Sequence, residues 1–353
     1  MARNTKFDRR LTKISPEIFL KLAQIDELKG RWREGANLNP LALGRLKRSV
    51  LITSTGASTR IEGAKLTDQD VENLMQGLAI QKFADRDKEE VLGYFELLQN
   101  IFDSWQYIRF GENTIKHLHQ ELLKFVKKDQ AHKGRYKSAD NKVEMVDEKG
   151  KRIGVIFDTT PAYLTPYKMQ ELVEWTKDAL EQKKSHPLII IGNFLVEFLN
   201  IHPFADGNGR LSRILTNLLL LQAGYLYMPY VSHESLIEDQ KPQYYLSLRK
   251  SQKTFKKGVG DIIPWLEFFL KIIFAQSEKA VDLMSGESIE EILSNKQMVV
   301  WQYLQEVEEA STKQIAQKTK IAYATVRQTL SKLLKLKKIK RIGLGRSSRY
   351  HKI

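Results

Sequence analysis

Two helix-forming stretches, residues 187–201 and 207–223, meet across the break His202-Pro203-Phe204-Ala205-Asp206-Gly207-Asn208-Gly209-Arg210, and this junction constrains the chain more than any other segment. The first stretch is largely apolar and opens on Pro187, a residue suited to the first helical position. It ends at His202 because a proline disfavours helical geometry in the residue before it, so His202 sits on a bend. The second begins at Gly207-Asn208-Gly209, where two glycines let a ligand approach the backbone closely. The free amides of the helix start point at that ligand with the positive dipole end. This is an anion cradle, and phosphate is its commonest occupant. At about 100° per residue, Asp206, Arg210 and Arg213 share one face, whereas Leu211, Ile214, Leu215, Leu218 and Gln222 centre roughly 130° away.

Taken singly, each residue has a plain structural reading: Asp206 as an N-cap, His202 as a satisfied core histidine, Arg210 and Arg213 as a solvated helix face. Together they supply what phosphoryl or nucleotidyl transfer needs. Donors and a metal neutralise the phosphates while a base takes the proton of the incoming hydroxyl.

The rest of the chain sets the frame. Apolar residues at helical spacing mark residues 16–34, 40–54, 67–77, 87–107, 114–127, 166–182, 240–254 and 262–283. Strand signals are scarce, and the exception is 142–158, where Val143, Met145, Ile153, Val155 and Phe157 alternate around the turn Asp147-Glu148-Lys149-Gly150; this is a hairpin. At 353 residues, two or three domains are expected, with the clearest linker at Ser285-Gly286-Glu287-Ser288. Zero cysteines exclude disulfides, thiolate zinc sites and cysteine nucleophiles, so any metal sits on oxygen or imidazole. The polar N-terminus and short apolar runs give neither a secretory signal nor a membrane span, so a cytoplasmic protein is expected.

The net charge of +15 is local. Residues 311–353 hold thirteen Lys or Arg and no Asp or Glu, which leaves the other 310 residues near +2. In this basic tail, helices are expected at 288–308, from Ser311 and at 323–336, followed by a hairpin of Ile339–Ile342 and Ser348–His351 with Gly343 and Gly345 in its turn. Three helices and a ribbon are the layout of a winged helix-turn-helix, whose third helix enters a DNA major groove. Arg327, Lys332, Arg341, Arg346 and Arg349 are the candidate DNA-binding residues.

His202 to Arg213 resembles the signature HPFxxGNGRxxR of Fic proteins, mostly adenylyltransferases that move AMP from ATP onto Ser, Thr or Tyr hydroxyls of proteins. Every signature position matches, and the resemblance covers roughly residues 40–275. It implies a Fic-type helical bundle with a β-hairpin flap, so that with the small winged helix-turn-helix read from the tail the expected chain is mainly α. Its domains would be an N-terminal helical region (1–110), a catalytic core (111–284) and the basic tail (285–353). By that resemblance His202 is the general base, and Asp206 holds Mg²⁺ against the phosphates. Gly207, Asn208 with its side chain, Gly209, Arg210, Leu211, Ser212 and Arg213 form the ATP-binding stretch, with Arg213 on the γ-phosphate. Val155, Ile156, Phe157 and Asp158 of the flap line the nucleotide site, and Tyr244-Tyr245 resembles the family's double tyrosine near the adenine. The flap would add a segment of the target protein as an extra strand. Homodimerisation is implied as well. One departure concerns the flap's anchor, since Gly134-Arg135-Tyr136-Lys137 ends in lysine where many relatives have arginine.

Upstream, Ser58-Thr59-Arg60-Ile61-Glu62-Gly63 resembles the inhibitory motif (S/T)xxxE(G/N) of Fic proteins that carry their brake N-terminal to the core. A carboxylate just before a helix-ending glycine faces the negative dipole end, so something else should hold Glu62. A bidentate pair with Arg213 would do so and would take the place of the γ-phosphate. The expectation is an autoinhibited protein adenylyltransferase. The alternatives are an enzyme that removes AMP or transfers another phosphate-bearing group, and a DNA-binding regulator whose Fic-like body senses nucleotide.

Overall fold

The computed structural model describes residues 5–35, 40–77, 85–127, 130–146, 152–256, 258, 260–285, 293–335, 338–343 and 348–352; of these, the side chains of 40–42, 85, 142–146, 152–158 and 285 are not described. The chain divides into two compact units, Met1–Leu283 and Met284–Ile353, and residues 1–110 belong to the first together with the segment that follows them.

In the first unit the helices are α1 (Lys6–Leu11), α2 (Pro16–Gly35), α3 (Pro40–Ile61), α4 (Asp68–Met75), α5 (Asp85–Ser104) and α6 (Glu112–Leu122). A hairpin of β1 (Lys142–Val146) and β2 (Arg152–Asp158) follows, and then α7 (Thr165–Glu181), α8 (Pro187–Ile201), α9 (Asn208–Gln222), α10 (His233–Glu238), α11 (Lys241–Phe255) and α12 (Ile263–Ser285). No described helix is long and apolar enough to cross a membrane.

The core is built on α8, which is buried from Leu188 to Leu199. A helix apolar on all sides must be enclosed by others, and α7, α9, α11 and α12 pack around it. Gly192 admits a close approach of α12: the Trp265 indole donates to its carbonyl at 2.8 Å, and a methyl group there would stand 2.8 Å from Leu266. Glu197 is the one carboxylate on α8, and α1 exists to meet it. Lys6 and Arg10 pair with it at 2.7 and 2.8 Å while Phe7 packs on Trp175. Burial would raise the Glu197 pKa, but the two cations outweigh it and hold the carboxyl below its ordinary range. Six residues are too few for a periodicity, so α1 and the equally short α10 left no sequence signal.

The largest change from the sequence reading is the length of α3, which runs past residue 54 to Ile61. Its last turns, Ser54-Thr55-Gly56-Ala57-Ser58-Thr59, lack an apolar stripe, yet all six are buried. Small residues let α3 sit deep in the bundle; the Ser54 hydroxyl reaches across it to Ser232, and the Thr59 hydroxyl bonds back to the carbonyls of Thr55 and Gly56. Extended in this way, α3 delivers Glu62 to the start of α9.

β1 and β2 pair antiparallel, with Val143 opposite Phe157, and β2 runs beside α11. The turn assigned to Asp147–Gly150 lies outside the described residues.

The second unit contains α13 (Asn295–Glu306), β3 (Ala310–Ser311), α14 (Thr312–Thr319), α15 (Tyr323–Lys335), β4 (Ile339–Ile342) and β5 (Arg349–Lys352), with the strands in the order β3-β5-β4. Its core joins Val300 and Leu304 of α13, Ile315 of α14, Val326, Leu330 and Leu333 of α15, and Ile339. The short strand β3, absent from the sequence reading, ties the segment before α14 to β5.

Candidate active site

The helix break folds as the sequence requires, and the structure shows what holds it. His202 ends α8 in the left-handed region (φ 53°, ψ 62°) with its N–H still bonded to Phe198 at 2.9 Å. Asn208 closes the loop on itself: its side-chain oxygen accepts from the Phe204 N–H at 2.9 Å and its NH₂ donates to the Phe204 carbonyl at 2.8 Å. The Asn208 side chain, expected on phosphate oxygens, is therefore spent on shaping the loop. Beneath the loop lies His119 of α6, fully buried and stacked on Phe204 at 3.8 Å. Its Nδ1 accepts from the Gly134 N–H at 3.0 Å, which fixes the proton on Nε2, and Nε2 donates to the Asp206 carbonyl at 3.0 Å. Gly207 turns the chain at φ 76°, a conformation glycine adopts without penalty. His119 escaped the sequence reading because nothing near it in sequence marks it.

Lys137 resolves the question of the flap's anchor. Its main-chain N–H donates to Pro203 at 2.9 Å. Its ammonium donates to Asn141 at 2.8 Å, Thr159 at 2.7 Å and the Ile201 carbonyl at 3.1 Å. Asn141 precedes β1 and Thr159 follows β2, so one buried cation pins both roots of the hairpin to the end of α8 beside His202. Burial depresses its pKa to about 8, opposed by Asp140. Burial and the charge of Lys137 together push the His202 pKa down to about 4, against weaker opposing effects from the Leu199 backbone, Glu62 and Asp206. His202 is thus neutral near pH 7 and able to accept a proton.

Two sets of ion pairs surround a cavity of ≈ 380 Å³ lined by His202, Asp206 to Arg210, Glu62, Gly63, Arg86 and Glu90 among others. In the first set, Asp206 accepts from Arg86 at 2.8 Å and Arg210 at 3.1 Å, while Arg210 also reaches Glu90 at 2.6 Å. Burial would raise the Asp206 pKa, but Arg210, the Gly207 N–H and Arg86 outweigh it and keep the carboxyl ionised. The second set is Arg213, 2 % exposed, whose Nε donates to the Ser58 hydroxyl at 2.8 Å and whose Nη2 donates to the Ser58 carbonyl at 2.9 Å and Glu62 at 2.7 Å. The pair with Glu62 is a single contact, not the bidentate one expected: Ser58 takes Nε and shares Nη2, and Nη1 is buried without a hydrogen-bond partner among the described residues.

Glu62 is seated by more than Arg213. Its carboxylate lies against Gly209, where a methyl group would stand only 2.2 Å from Oε1. The anion that opposes the dipole of α3 therefore rests at the positive end of α9. Gly63, at φ 107°, turns the chain away. The last carbonyls of α3 are also capped: Lys241 donates to Arg60 and the Tyr245 hydroxyl to Ile61, both at 3.1 Å.

Most of the other expected site residues are engaged by partners within the fold. Arg210 and Arg213 are buried and ion-paired, so neither is a solvated helix face. Leu211 is in the core, and the Ser212 hydroxyl donates to the Gly209 carbonyl. Tyr244 packs against Trp265 and Phe268 and does not line the cavity, and Tyr245 serves α3. Val155, Ile156, Phe157 and Asp158 belong to β2, whose side chains lie outside the described residues.

A family profile described as "Fic/DOC family" matches residues 109–220, the span from before α6 to the end of α9. A Fido domain-containing protein of Dictyostelium discoideum is 34% identical over 111 residues, covering 29% of this chain and 71% of the relative. The chain belongs to the Fic/DOC family. A Fic family protein of Desulfovibrio desulfuricans shares the fold, with a TM-score of 0.64 and 25% identity over 97% of each chain. A protein adenylyltransferase Fic of Drosophila mojavensis is 36% identical over 116 residues; the match covers 33% of this chain but 20% of the fly protein. The Fic profile thus spans His119, Lys137, the hairpin and the whole His202–Arg213 junction, whereas Glu62 and Arg86 stand outside it and reach the site from α3 and α5.

Replacing Lys137 with Met should free the roots of the Fic hairpin. Amide hydrogen exchange in 142–146 and 152–158 should accelerate about tenfold, the equivalent of roughly 1.4 kcal/mol for lost bonds from a charged donor, while α9 keeps its protection. Unchanged exchange in the hairpin would show that Lys137 does not anchor it.

Proposed function

We propose that this chain transfers AMP from ATP to Ser, Thr or Tyr hydroxyls of proteins, itself included, and that Glu62 holds the reaction in check. The observation that supports this reading most is the ion pair of Arg213 with Glu62, whose carboxylate lines the cavity that also holds His202 and Asp206. The relatives' name, protein adenylyltransferase, supports the direction of transfer.

In this reading neutral His202 accepts the proton of the incoming hydroxyl. The hydroxyl oxygen forms a bond to the α-phosphorus, the bond from that phosphorus to the bridging oxygen breaks, and diphosphate leaves. The first-turn N–H groups of α9, which a helix leaves without internal partners, face the phosphates. Among the described residues no group of three or more His, Asp or Glu is arranged to hold a metal by itself. A single ionised carboxylate beside a phosphate site nevertheless suits Mg²⁺, which is commonly held by one or two carboxylates and the substrate's own phosphates. Asp206 would hold it, and its charge would offset that of the departing diphosphate. Arg86 would first have to leave Asp206. Arg213 would serve the γ-phosphate, for which Glu62 is the standing competitor.

With ATP labelled at the α-phosphate and cell extract as a source of targets, Glu62→Gly should raise protein labelling at least about tenfold over wild type, and Glu62→Gly with His202→Ala should remove it. Equal labelling with His202 replaced would refute the assignment of the base.

The pH profile tests the same histidine independently. Because its folded pKa is depressed to about 4, the proton is disfavoured. In the Glu62→Gly protein, kcat/KM should hold its plateau as pH falls from 8 through 6 and decline only toward 5 and below. A half-maximal point near 6.5, the ordinary histidine value, would contradict the environment described for His202.

A further inference from the structure

The basic tail takes no part in the reaction proposed above, and its structure separates the charges that are engaged from those that are presented. Arg349 is paired with Glu309 at 2.6 Å, Lys332 turns toward Gln297 of α13, and the Arg341 Nε donates to Ser348 at 2.8 Å. Arg346 lies outside the described residues. On α15, Val326, Thr329, Leu330 and Leu333 face the core, and Tyr323, Ala324, Arg327, Gln328, Ser331 and Lys335 are exposed on the opposite side. Arg327 has no carboxylate partner among the described residues, and residues 311–353 hold no Asp or Glu.

α14 and α15 are joined by Lys320-Ile321-Ala322, with Lys320 in the left-handed region at φ 55°. A three-residue turn between two helices is the spacing of a helix-turn-helix, in which the second helix is the one presented to a groove. Lys313, Lys318 and Lys320 are exposed before α15, and Lys338 and Lys340 after it. The exposed face of the helix is thus flanked on both sides by cations. Its thirteen residues span about 20 Å, enough to lie along a B-form major groove about 12 Å wide.

We propose that the second unit binds double-stranded DNA, with the exposed face of α15 in the major groove, Arg327 and Gln328 at base edges, and Lys320 and Lys340 on phosphates. Arginine and glutamine are the side chains whose forked groups match guanine and adenine there. The face offers a protein partner little apolar area, since Tyr323 is its one large exposed apolar side chain. A double-stranded RNA is disfavoured because its major groove is too narrow to admit a helix.

The test uses the full chain. Fluorescence anisotropy is measured with a labelled 30-base-pair duplex of random sequence from about 50 to 200 mM salt, and a binding site is then selected from a randomised duplex pool. With roughly four phosphate contacts, affinity should fall about a hundredfold over that range. Lys320→Glu with Lys340→Glu should weaken binding to every duplex and flatten the salt slope. Arg327→Ala should weaken binding to the selected site by about tenfold or more and relax its sequence preference. All three positions are exposed, and unchanged thermal melting verifies that each variant is folded. No binding at 50 mM salt, affinity independent of salt, variants that bind like wild type, or tighter binding of single- or double-stranded RNA of the same length would each overturn the proposal.

Discussion

The Arg213 guanidinium is buried and keeps its charge at any physiological pH, so an anion has to stand beside it. Burial opposes that charge, yet Glu62, with Tyr244 and Tyr94, drives the Arg213 pKa above its ordinary value. An uncompensated charge in such a place costs several kcal/mol. Much of the surrounding structure serves the one contact that prevents this. Small buried residues carry α3 to Ile61, Gly63 ends it, and Arg60 fixes it to Glu238 and Asp68. Lys241 and Tyr245 cap its carbonyls, and Gly209 leaves room for the carboxylate. In the proposed cycle the γ-phosphate is the second anion that satisfies Arg213, so departure of Glu62 and productive seating of ATP become one event.

The opposite wall of the cavity is organised by a second solution to the same problem. Asp206, Arg210, Arg86 and Glu90 neutralise one another at distances of 2.6 to 3.1 Å. Two of them come from α5, so the groups proposed to meet metal and phosphate are already paired in the resting chain. His119 and Lys137 act differently. They are polar anchors within the fold, one holding the Asp206 carbonyl and the other the hairpin roots, and they leave the His202 ring neutral beside the cavity.

The helices with long apolar stripes were legible in the sequence, and α8 was read to its boundaries, because periodicity and a terminal proline are local signals. The junction from His202 to Arg213 was legible for a similar reason: its bend, its glycines and its arginines lie within twelve residues. What could not be read depends on partners far apart in sequence. α1 is held by Glu197 nearly two hundred positions away, and the end of α3 is helical because its small hydroxyl residues find partners inside the bundle. His119 and Arg86 carry no local mark of their roles, and Lys137 is marked only by its place in Gly134-Arg135-Tyr136-Lys137, which does not show what it binds. The burial of Tyr244, and the use of Asn208 within its own loop, likewise follow from packing that no spacing rule reveals.

The contest for Arg213 is measured most directly by calorimetric titration of ATP and ADP into the wild-type and Glu62→Gly proteins, each with Arg213→Ala as a reference. The wild type should bind the two nucleotides within about twofold of each other, because Glu62 denies Arg213 to the γ-phosphate. Glu62→Gly should bind ATP at least about tenfold tighter than ADP, a gap of roughly 1.4 kcal/mol that Arg213→Ala removes. The same ATP-to-ADP ratio in wild type and Glu62→Gly would contradict the account.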